Sequence, residues 1–348
     1  MSYEYDYLVF IGRFQPFHDG HKAVVDRALE LSEKVIIVLG SHNQPRSFRN
    51  PWTSQERREM IQSCYAFTGE HRLEFVFQED YTYNLDKWLA SIQGQVNHII
   101  HKKWKAGPVN IGLIGHSKDS SSFYLNLFPS WGSVNVKQDI VMDATYIRKD
   151  IFNPRVRGLF PSPKISMPKS IVTWIELWMD DCTESFEFIQ DEYQHLIDYN
   201  QQWSHSPYPP TFVTVDAIVV QSGHILLVKR GAMPGKGQWA LPGGFVNQYE
   251  KLKDASIREL REETKLKVPV PVLIGSLVDR KTFDDPYRSQ RGRTITTAFY
   301  FHLRDEPKLP KVKGSDDAVH AEWVPLGELD RSQMYEDHFD MIDDMVKL

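Results

Sequence analysis

Two groups of residues in this chain have types and spacings suited to phosphate chemistry. In the first, His18-Asp19-Gly20-His21, two imidazoles flank a glycine where an apolar run, Tyr7 to Ile11, gives way to a helical pattern. Unpaired amides at a helix N-terminus attract phosphate, Gly20 lets the backbone come close, and His18 and His21 can donate hydrogen bonds to non-bridging oxygens. Such a cradle stabilises charge building on a pentavalent phosphorus. In the second group, Glu259, Glu262 and Glu263 fall at i, i+3 and i+4 of a helical pattern. Three carboxylates then crowd one face while Ile257 and Leu260 turn to the other. Like charges at that spacing repel by roughly a few tenths of a kcal/mol per pair, a conflict that a divalent cation removes. Hard oxygen ligands favour Mg²⁺ or Mn²⁺, an ion that can bridge to a diphosphate, polarise it and lower the pKa of an attacking water.

The elements that must position these residues can be read from the apolar pattern. Tyr7 to Ile11 ends at Gly12, and Val35 to Leu39 ends at Gly40; both read as buried strands. Between them Val24, Ala28 and Leu31 recur at helical spacing, so the chain opens as a strand, helix, strand unit with a right-handed crossover. That places His18-Asp19-Gly20-His21 where open α/β sheets bind ligands, outside the carboxyl end of a strand. Leu73 to Phe77, His98 to Ile100, Val109 to Ile114 and Val134 to Val136 are read as further strands, alternating with helices over Ser54 to Phe67 and Leu85 to Ile92. After Pro161-Ser162-Pro163 two helices are expected, Ile171 to Met179 and Thr183 to Trp203, and then Ser206-Pro207-Tyr208-Pro209-Pro210 breaks the pattern as an extended linker. Beyond it Phe212 to Val220 and His224 to Lys229 read as a hairpin, Leu252 to Lys265 as a helix, and Thr294 to Leu303 and the segment ending at Trp323-Val324 as strands of a mixed sheet. The expected organisation is a first domain over 1–180, a helix and Pro-rich linker over 181–210, and a second domain over 211–348.

At 348 residues the chain exceeds what one hydrophobic core usually serves. A net charge of -5 with 25% charged residues argues against a broad electrostatic grip on nucleic acid or an anionic membrane, so cations that matter should line local anion pockets. Cys64 and Cys182 stand alone and read as reduced thiols, and the apolar runs are too short to span a bilayer. A cytoplasmic protein is expected. Self-association is left open.

The segment Gly12-Arg13-Phe14-Gln15-Pro16-Phe17-His18-Asp19-Gly20-His21 resembles the HxGH motif of the nucleotidyltransferase superfamily, and in particular the archaeal-type nicotinamide mononucleotide (NMN) adenylyltransferases. The resemblance implies a Rossmann-like doubly wound parallel sheet and direct attack of the NMN phosphate on the α-phosphorus of ATP, giving NAD and pyrophosphate with no covalent enzyme intermediate. Positioning and electrostatics do most of that work. It further implies nucleotide contacts from Gly12, Arg13, Phe14, Gln15 and Gly20, and Arg46-Ser47 with Asn50-Pro51-Trp52-Thr53 and Glu56-Arg57 resembles the loop and helix that help hold both nucleotides, with Arg46, Ser47 and Asn50 as binding residues. Asp80, Asn84 and Trp88 fall where relatives bind nicotinamide, with Trp88 as a stacking face and Asp80 as an acceptor for the carboxamide. Gly115-His116-Ser117-Lys118-Asp119 resembles the adenosine-side segment. The superfamily's closing Ser-x-Thr-x-x-Arg is here Asp143-Ala144-Thr145-Tyr146-Ile147-Arg148, which keeps Thr145 and Arg148 and puts Asp143 in place of serine. Arg148 is the expected phosphate clamp, and Asp143 either points away from the triphosphate or helps hold its metal ion.

Gly244, Glu250 and Arg258-Glu259-Leu260-Arg261-Glu262-Glu263 have the spacing of the Nudix box, preceded by Leu241-Pro242-Gly243. This resemblance implies an α/β/α mixed-sheet domain that hydrolyses a nucleoside diphosphate linked to another group, with the metal on Glu259, Glu262, Glu263 and Gly243 and with Glu262 and Glu263 in the catalytic set. Arg258 would orient the carboxylates. Lys265 stands where the box usually has glycine. Arg280, Arg288, Arg291 and Arg293 around Asp284-Asp285-Pro286 resemble the ADP-ribose-binding segment of the family's ADP-ribose pyrophosphatases, and Asp316 or Asp317 is a candidate general base.

Together the two resemblances imply a bifunctional enzyme of NAD metabolism that makes NAD from ATP and NMN and cleaves ADP-ribose to AMP and ribose 5-phosphate. Two rival readings stay open in the sequence: a second half that senses ADP-ribose without cutting it, as in Nudix-related transcriptional regulators, and a first half that serves another phosphate acceptor such as phosphopantetheine. About 25 residues follow Trp323, fewer than the winged helix of such regulators requires, and Trp88 with Asp80 favours nicotinamide.

Overall fold

A computed structural model of the chain describes residues 3–66, 70–102, 108–116, 127–137, 142–154 and 165–348. The chain divides into two units, Met1–Gln190 and Asp191–Leu348.

In the first unit the opening apolar run becomes β1 (Tyr5–Gly12), followed by α1 (Asp19–Leu31) and β2 (Ser32–Leu39), the expected crossover. Then come α2 (Ser54–Tyr65), β3 (Leu73–Phe77), α3 (Leu85–Lys102), β4 (Ile111–Gly115), β5 (Gly132–Asn135), α4 (Ala144–Ile151) and α5 (Lys169–Asp181). The strands form a five-stranded sheet in the order β3-β2-β1-β4-β5, with every pair parallel. The strand order reverses at β1, which pairs with both β2 and β4, so the crevice at their carboxyl ends is the place where such sheets take ligands. One face of the sheet buries Val9, Ile36, Val38 and Leu113 against Ile92, Val96 and Ile100 of α3. Each such side chain, fully buried, contributes about 1.5–3 kcal/mol. His98 to Ile100, expected as a strand, lies inside α3: Ile92, Val96 and Ile100 repeat every four residues, and the helical stripe they make overrides the β-branched pair. Thr53 starts α2 with a reciprocal capping box, its hydroxyl accepting from the Glu56 amide while Glu56 accepts from the Thr53 amide at 2.7 Å.

Helix α6 (Thr183–Gln202) contains the division between the units, and Ser206–Pro210 has no regular structure. The second unit continues with β6 (Phe212–Gln221), β7 (His224–Arg230), β8 (Trp239–Ala240), β9 (Gly243–Phe245), α7 (Leu252–Thr264), α8 (Val270–Gly275), β10 (Leu277–Phe283), β11 (Thr294–His302), β12 (Ala318–Pro325) and α9 (His338–Val346). The main path of its mixed sheet is β10-β11-β6-β7-β12, with β8 added to β7 and β9 to β6. Ser222 and Gly223, at φ of 50° and 72°, form the two-residue turn of the β6–β7 hairpin. Val215, Val219, Phe299 and Phe301 of the sheet pack with Ala255 and Leu260 of α7, which turns the opposite, carboxylate-bearing face of that helix toward β9. Lys265 follows α7 in the left-handed conformation, at φ 50°, with its N–H bonded to the Arg261 carbonyl. This is helix-ending geometry that glycine adopts without strain. Among the described residues no helix is long and apolar enough to cross a membrane.

Candidate active sites

In the first unit β1 ends at Gly12, and Phe14 folds its ring back so closely that a Cβ at Gly12 would meet Phe14 Cζ at 2.8 Å. Phe14 itself takes φ 52° and is buried. His18 is the N-cap of α1 and is only 3% exposed; its ring stacks on that of His21, with centroids 3.7 Å apart. The edge of Phe14 supports His21 at 4.9 Å. Both imidazoles and the buried Gly20 thus lie on one helical turn at the switch point of the sheet.

The surrounding loops are tied to this turn by side chains that bond backbone groups. Gln15 donates to the Trp52 carbonyl at 2.8 Å and accepts from the Trp52 amide at 3.1 Å, fastening the Arg13–Phe17 loop to the segment that carries Ser47 and Asn50. Ser47 accepts from the Asn50 amide. Arg148 donates to the Gln15 carbonyl at 2.6 Å and to the Thr145 hydroxyl at 3.1 Å; burial, reinforced by Arg13 and Arg49, pushes its pKa down to about 9. It remains protonated at neutral pH, and a bound anion relieves the strain. Asp143 caps α4 by accepting from the Thr145 amide at 2.6 Å, the role a serine fills equally well. Arg46 is engaged by Glu56 through two bonds of 2.7 and 2.8 Å. His116 follows Gly115 at the end of β4 and sits 2.8 Å from the Val136 carbonyl and 3.5 Å from that of Gly20. Asp80 accepts from the Ser41 amide, and Asn84 uses its side chain to cap α3 at Lys87. Trp88 packs against the sheet core with its ring 6.3 Å from that of Phe128. Lys118 and Asp119 lie outside the described residues. Arg57, expected within the segment that holds the nucleotides, is fully buried and donates to the carbonyls of Arg13, Gly40 and Ser41, binding the ends of β1 and β2 together.

In the second unit Arg258 organises the acidic face of α7. It meets Glu250 at 2.8 Å, Glu259 at 2.8 Å and Glu262 at 2.9 Å. Glu263 turns inward and accepts from the Gly243 amide at 3.0 Å, and burial, with Glu259 nearby, pushes its pKa up to about 8. Glu259 is shifted upward for the same leading reason. Two glycines make this packing possible: a Cβ at Gly243 would lie 2.2 Å from the Val215 carbonyl, and one at Gly244 would lie 2.7 Å from the Glu259 carboxylate. Among the described residues no three acidic, imidazole or thiol groups already converge on one point, and Glu262 is held in an ion pair by Arg258. The donors nevertheless fit a divalent cation: burial pushes the pKa of Glu259 and Glu263 upward, and a hard cation supplies the positive charge that favours their ionised forms.

A cavity of about 230 Å³ opens beside Glu263, lined among others by Asp216, Arg230, Arg288, Arg291 and His338. Asp216 is buried, accepts from Thr296 at 2.5 Å, and has its pKa raised to about 6 by burial. Arg288 forms a buried two-point pair with Asp337, and Arg291 lies over the Phe245 ring at 5.1 Å. Asp317 also reaches the cavity wall. Arg280 is exposed on β10 and Arg293 donates to the Asp284 carbonyl; neither lines the cavity. His338, unmarked by any motif, accepts from the Leu241 amide through Nδ1 at 2.9 Å, so its proton sits on Nε2. Burial and the nearby arginines hold it neutral, with a pKa well below 6.5.

Residues 9–149 match the cytidylyltransferase-like family and residues 210–345 the NUDIX domain family. Over 193 residues the chain is 35% identical to the nicotinamide/nicotinic acid mononucleotide adenylyltransferase of Acinetobacter baylyi, covering 55% of this chain and 95% of that protein. Over 135 residues it is 36% identical to the ADP-ribose pyrophosphatase of Methanocaldococcus jannaschii, covering 39% of this chain and 73% of that protein. The crystal structure of a bifunctional NMN adenylyltransferase/ADP ribose pyrophosphatase from Francisella tularensis, complexed with AMP and a manganese ion, superposes with a TM-score of 0.88 at 34% identity over 99% of both chains. With its parallel-sheet unit ending in stacked imidazoles and its mixed-sheet unit carrying a carboxylate helix, this chain belongs to the family of bifunctional NMN adenylyltransferase/ADP-ribose pyrophosphatases.

Proposed function

We infer that the chain joins ATP and NMN to give NAD and pyrophosphate in its first unit and hydrolyses ADP-ribose to AMP and ribose 5-phosphate in its second. The observation that carries this is that the two units hold buried groups of opposite charge at their candidate sites. The first has imidazoles and buried guanidinia at the sheet's switch point; the second has buried carboxylates beside an arginine-lined cavity.

For adenylyl transfer, an NMN phosphate oxygen attacks the α-phosphorus of ATP and pyrophosphate leaves. His18 and His21 donate to the non-bridging oxygens that gain charge, and Arg13 and Arg148 hold the phosphates. Gln15 keeps Arg148 and the Trp52 segment in register through the bonds described above. Ser47, Asn50, Asp80 and His116 line the nucleotide path, with Lys118 and Asp119 as further candidates. For hydrolysis, Mg²⁺ or Mn²⁺ on Glu259, Glu262 and Glu263 supplies charge neutralisation and a water of lowered pKa. Arg258 orients those carboxylates, Arg288 and Arg291 face the diphosphate, and His338 offers its Nε2–H as a neutral donor.

A product assay tests the reading: unmodified protein with ATP plus NMN, and separately with ADP-ribose, beside His18→Ala and Glu263→Gln. Each substitution should abolish one activity and spare the other. Absence of NAD formation by the unmodified protein overturns the first assignment, and absence of AMP release overturns the second.

A further inference from the structure

The NUDIX match begins at residue 210, yet α6 ends eight residues earlier and helps wall the cavity beside Glu263 with His195 and Tyr199. The second half of this helix is fixed in the unit it serves: Glu192, fully buried, accepts from the Gly235 amide at 3.0 Å, and Leu196 is buried as well. Beyond them Tyr199 meets Phe212 at 5.7 Å, and Phe212 meets Phe245 at 5.8 Å. Tyr199 and Phe245 thus both rest on Phe212, and both line the cavity. Trp203 supports Phe212 from a third side at 5.4 Å, and Phe245, 42% exposed, has Arg291 over its ring.

The cavity is therefore sorted by chemistry. Glu263, Asp216, Arg230 and Arg288 form a charged side, while Tyr199 and Phe245 form an aromatic side that α6 helps to build. A diphosphate suits the charged side, and the flat, weakly polar group at one end of a dinucleotide-like substrate suits the aromatic one. We propose that Tyr199 is a specificity-determining residue of the hydrolase, stacking the nucleobase of its nucleoside-diphosphate substrate, so that the C-terminal half of α6 is part of the hydrolytic site. This rests on the hydrolase reading above. It also accounts for Tyr199, half-buried at the end of a largely polar helix, lining the cavity.

The test is competitive inhibition of Mn²⁺-dependent ADP-ribose hydrolysis by each product separately, in the full chain, for Tyr199→Leu and Tyr199→Phe. Inhibition of hydrolysis reads this site alone, although AMP also resembles ligands of the other unit. Leucine keeps apolar packing on Phe212 and removes the ring face; phenylalanine keeps the face. Base stacking on an aromatic side chain predicts a rise of roughly tenfold or more in the inhibition constant of AMP and in KM for Y199L, with ribose 5-phosphate unaffected and Y199F restoring both. An unchanged AMP constant in Y199L, an equal weakening of both products, or a weakening of ribose 5-phosphate alone overturns the assignment. Should the unmodified protein release no AMP from ADP-ribose, the hydrolase reading falls by itself. The wall is then judged by equilibrium titration of ADP-ribose, where Y199L must still bind more weakly than Y199F.

Discussion

Glu263→Gln gives the sharpest test of how the second site stores electrostatic strain. Without a metal ion the Glu263 carboxyl is 8% exposed and its pKa lies at about 8, against 4.5 for the ordinary group. Between those two values the folded chain keeps a proton that the unfolded chain has released. The native state therefore binds more protons, and stability falls as pH rises through this window. Each tenfold change in proton activity is worth about 1.4 kcal/mol per differentially bound proton, so raising pH from 6 to 8 should cost the metal-free unit on the order of 2 kcal/mol. In a unit of this size that corresponds to a fall in Tm of roughly 5 °C. Calorimetry in chelator at pH 6, 7 and 8 reads it directly. Glutamine keeps a carbonyl to accept from the Gly243 amide, now at 3.0 Å from Glu263, and cannot ionise, so E263Q should flatten the dependence. Mn²⁺ should restore the unmodified protein most at high pH, because binding it requires the proton to leave. A metal-free Tm that rises between pH 6 and 8, or an E263Q profile parallel to that of the unmodified protein, would refute the reasoning.

Gly243→Ala and Gly244→Ala should separate fold from chemistry. The first drives a methyl group onto the Val215 carbonyl and should cost several kcal/mol, measured by denaturant unfolding, whereas the second meets only the movable end of Glu259 and should fold normally while losing Mn²⁺ affinity by titration calorimetry. Lys265→Gly relieves a left-handed residue on the exposed end of α7 and should stabilise the unit by about 1 kcal/mol with ADP-ribose hydrolysis retained. Asp143→Ala removes the cap that aligns Thr145 and Arg148 and should weaken α4 by about 1 kcal/mol and slow NAD formation, with Asp143→Ser restoring the rate. Arg148→Lys should fail to rescue what Arg148→Ala loses, since a single ammonium does not reproduce the fork that reaches both Gln15 and Thr145.

What the sequence made legible follows from the range of the interactions involved. His18, Gly20 and His21 occupy one turn, and Glu259, Glu262 and Glu263 one helical face, so their spacing alone discloses their juxtaposition. Arg57 was legible only as part of a segment resembling the nucleotide-holding loop and helix; its tie to carbonyls 44, 17 and 16 residues away has no local pattern to disclose it. His338 and Leu241 are 97 residues apart, joined only when the C-terminal helix closes on the sheet, and no local pattern marks such a pair. The arginine cluster split for a related reason. Arg288 and Arg291 follow the turn that enters β11 and reach the cavity, whereas Arg280 stands on the edge strand β10, facing solvent. Trp88, at a spacing shared by stacking platforms and core residues alike, packs against the core with Phe128.

The charge pattern of the two sites argues that each is built around what it binds. Arg148 is bonded to a carbonyl and a hydroxyl rather than to a carboxylate, and its neighbours Arg13 and Arg49 add to the burial that lowers its pKa. A buried cation with no carboxylate bonded to it destabilises the ligand-free protein, and a bound triphosphate supplies the counter-charge. Glu263 and Glu259 are displaced in the opposite direction, by burial beside one another, and a divalent cation reverses both shifts. Arg258 meanwhile neutralises the outer rim of the same helix through Glu250, Glu259 and Glu262, so the uncompensated charge is confined to the inner end where the cavity begins. Folding thus bears the cost of burying Arg148 and Glu263, and ligand binding offsets it, which is why substitutions that neutralise these two groups should stabilise the ligand-free chain while abolishing its chemistry.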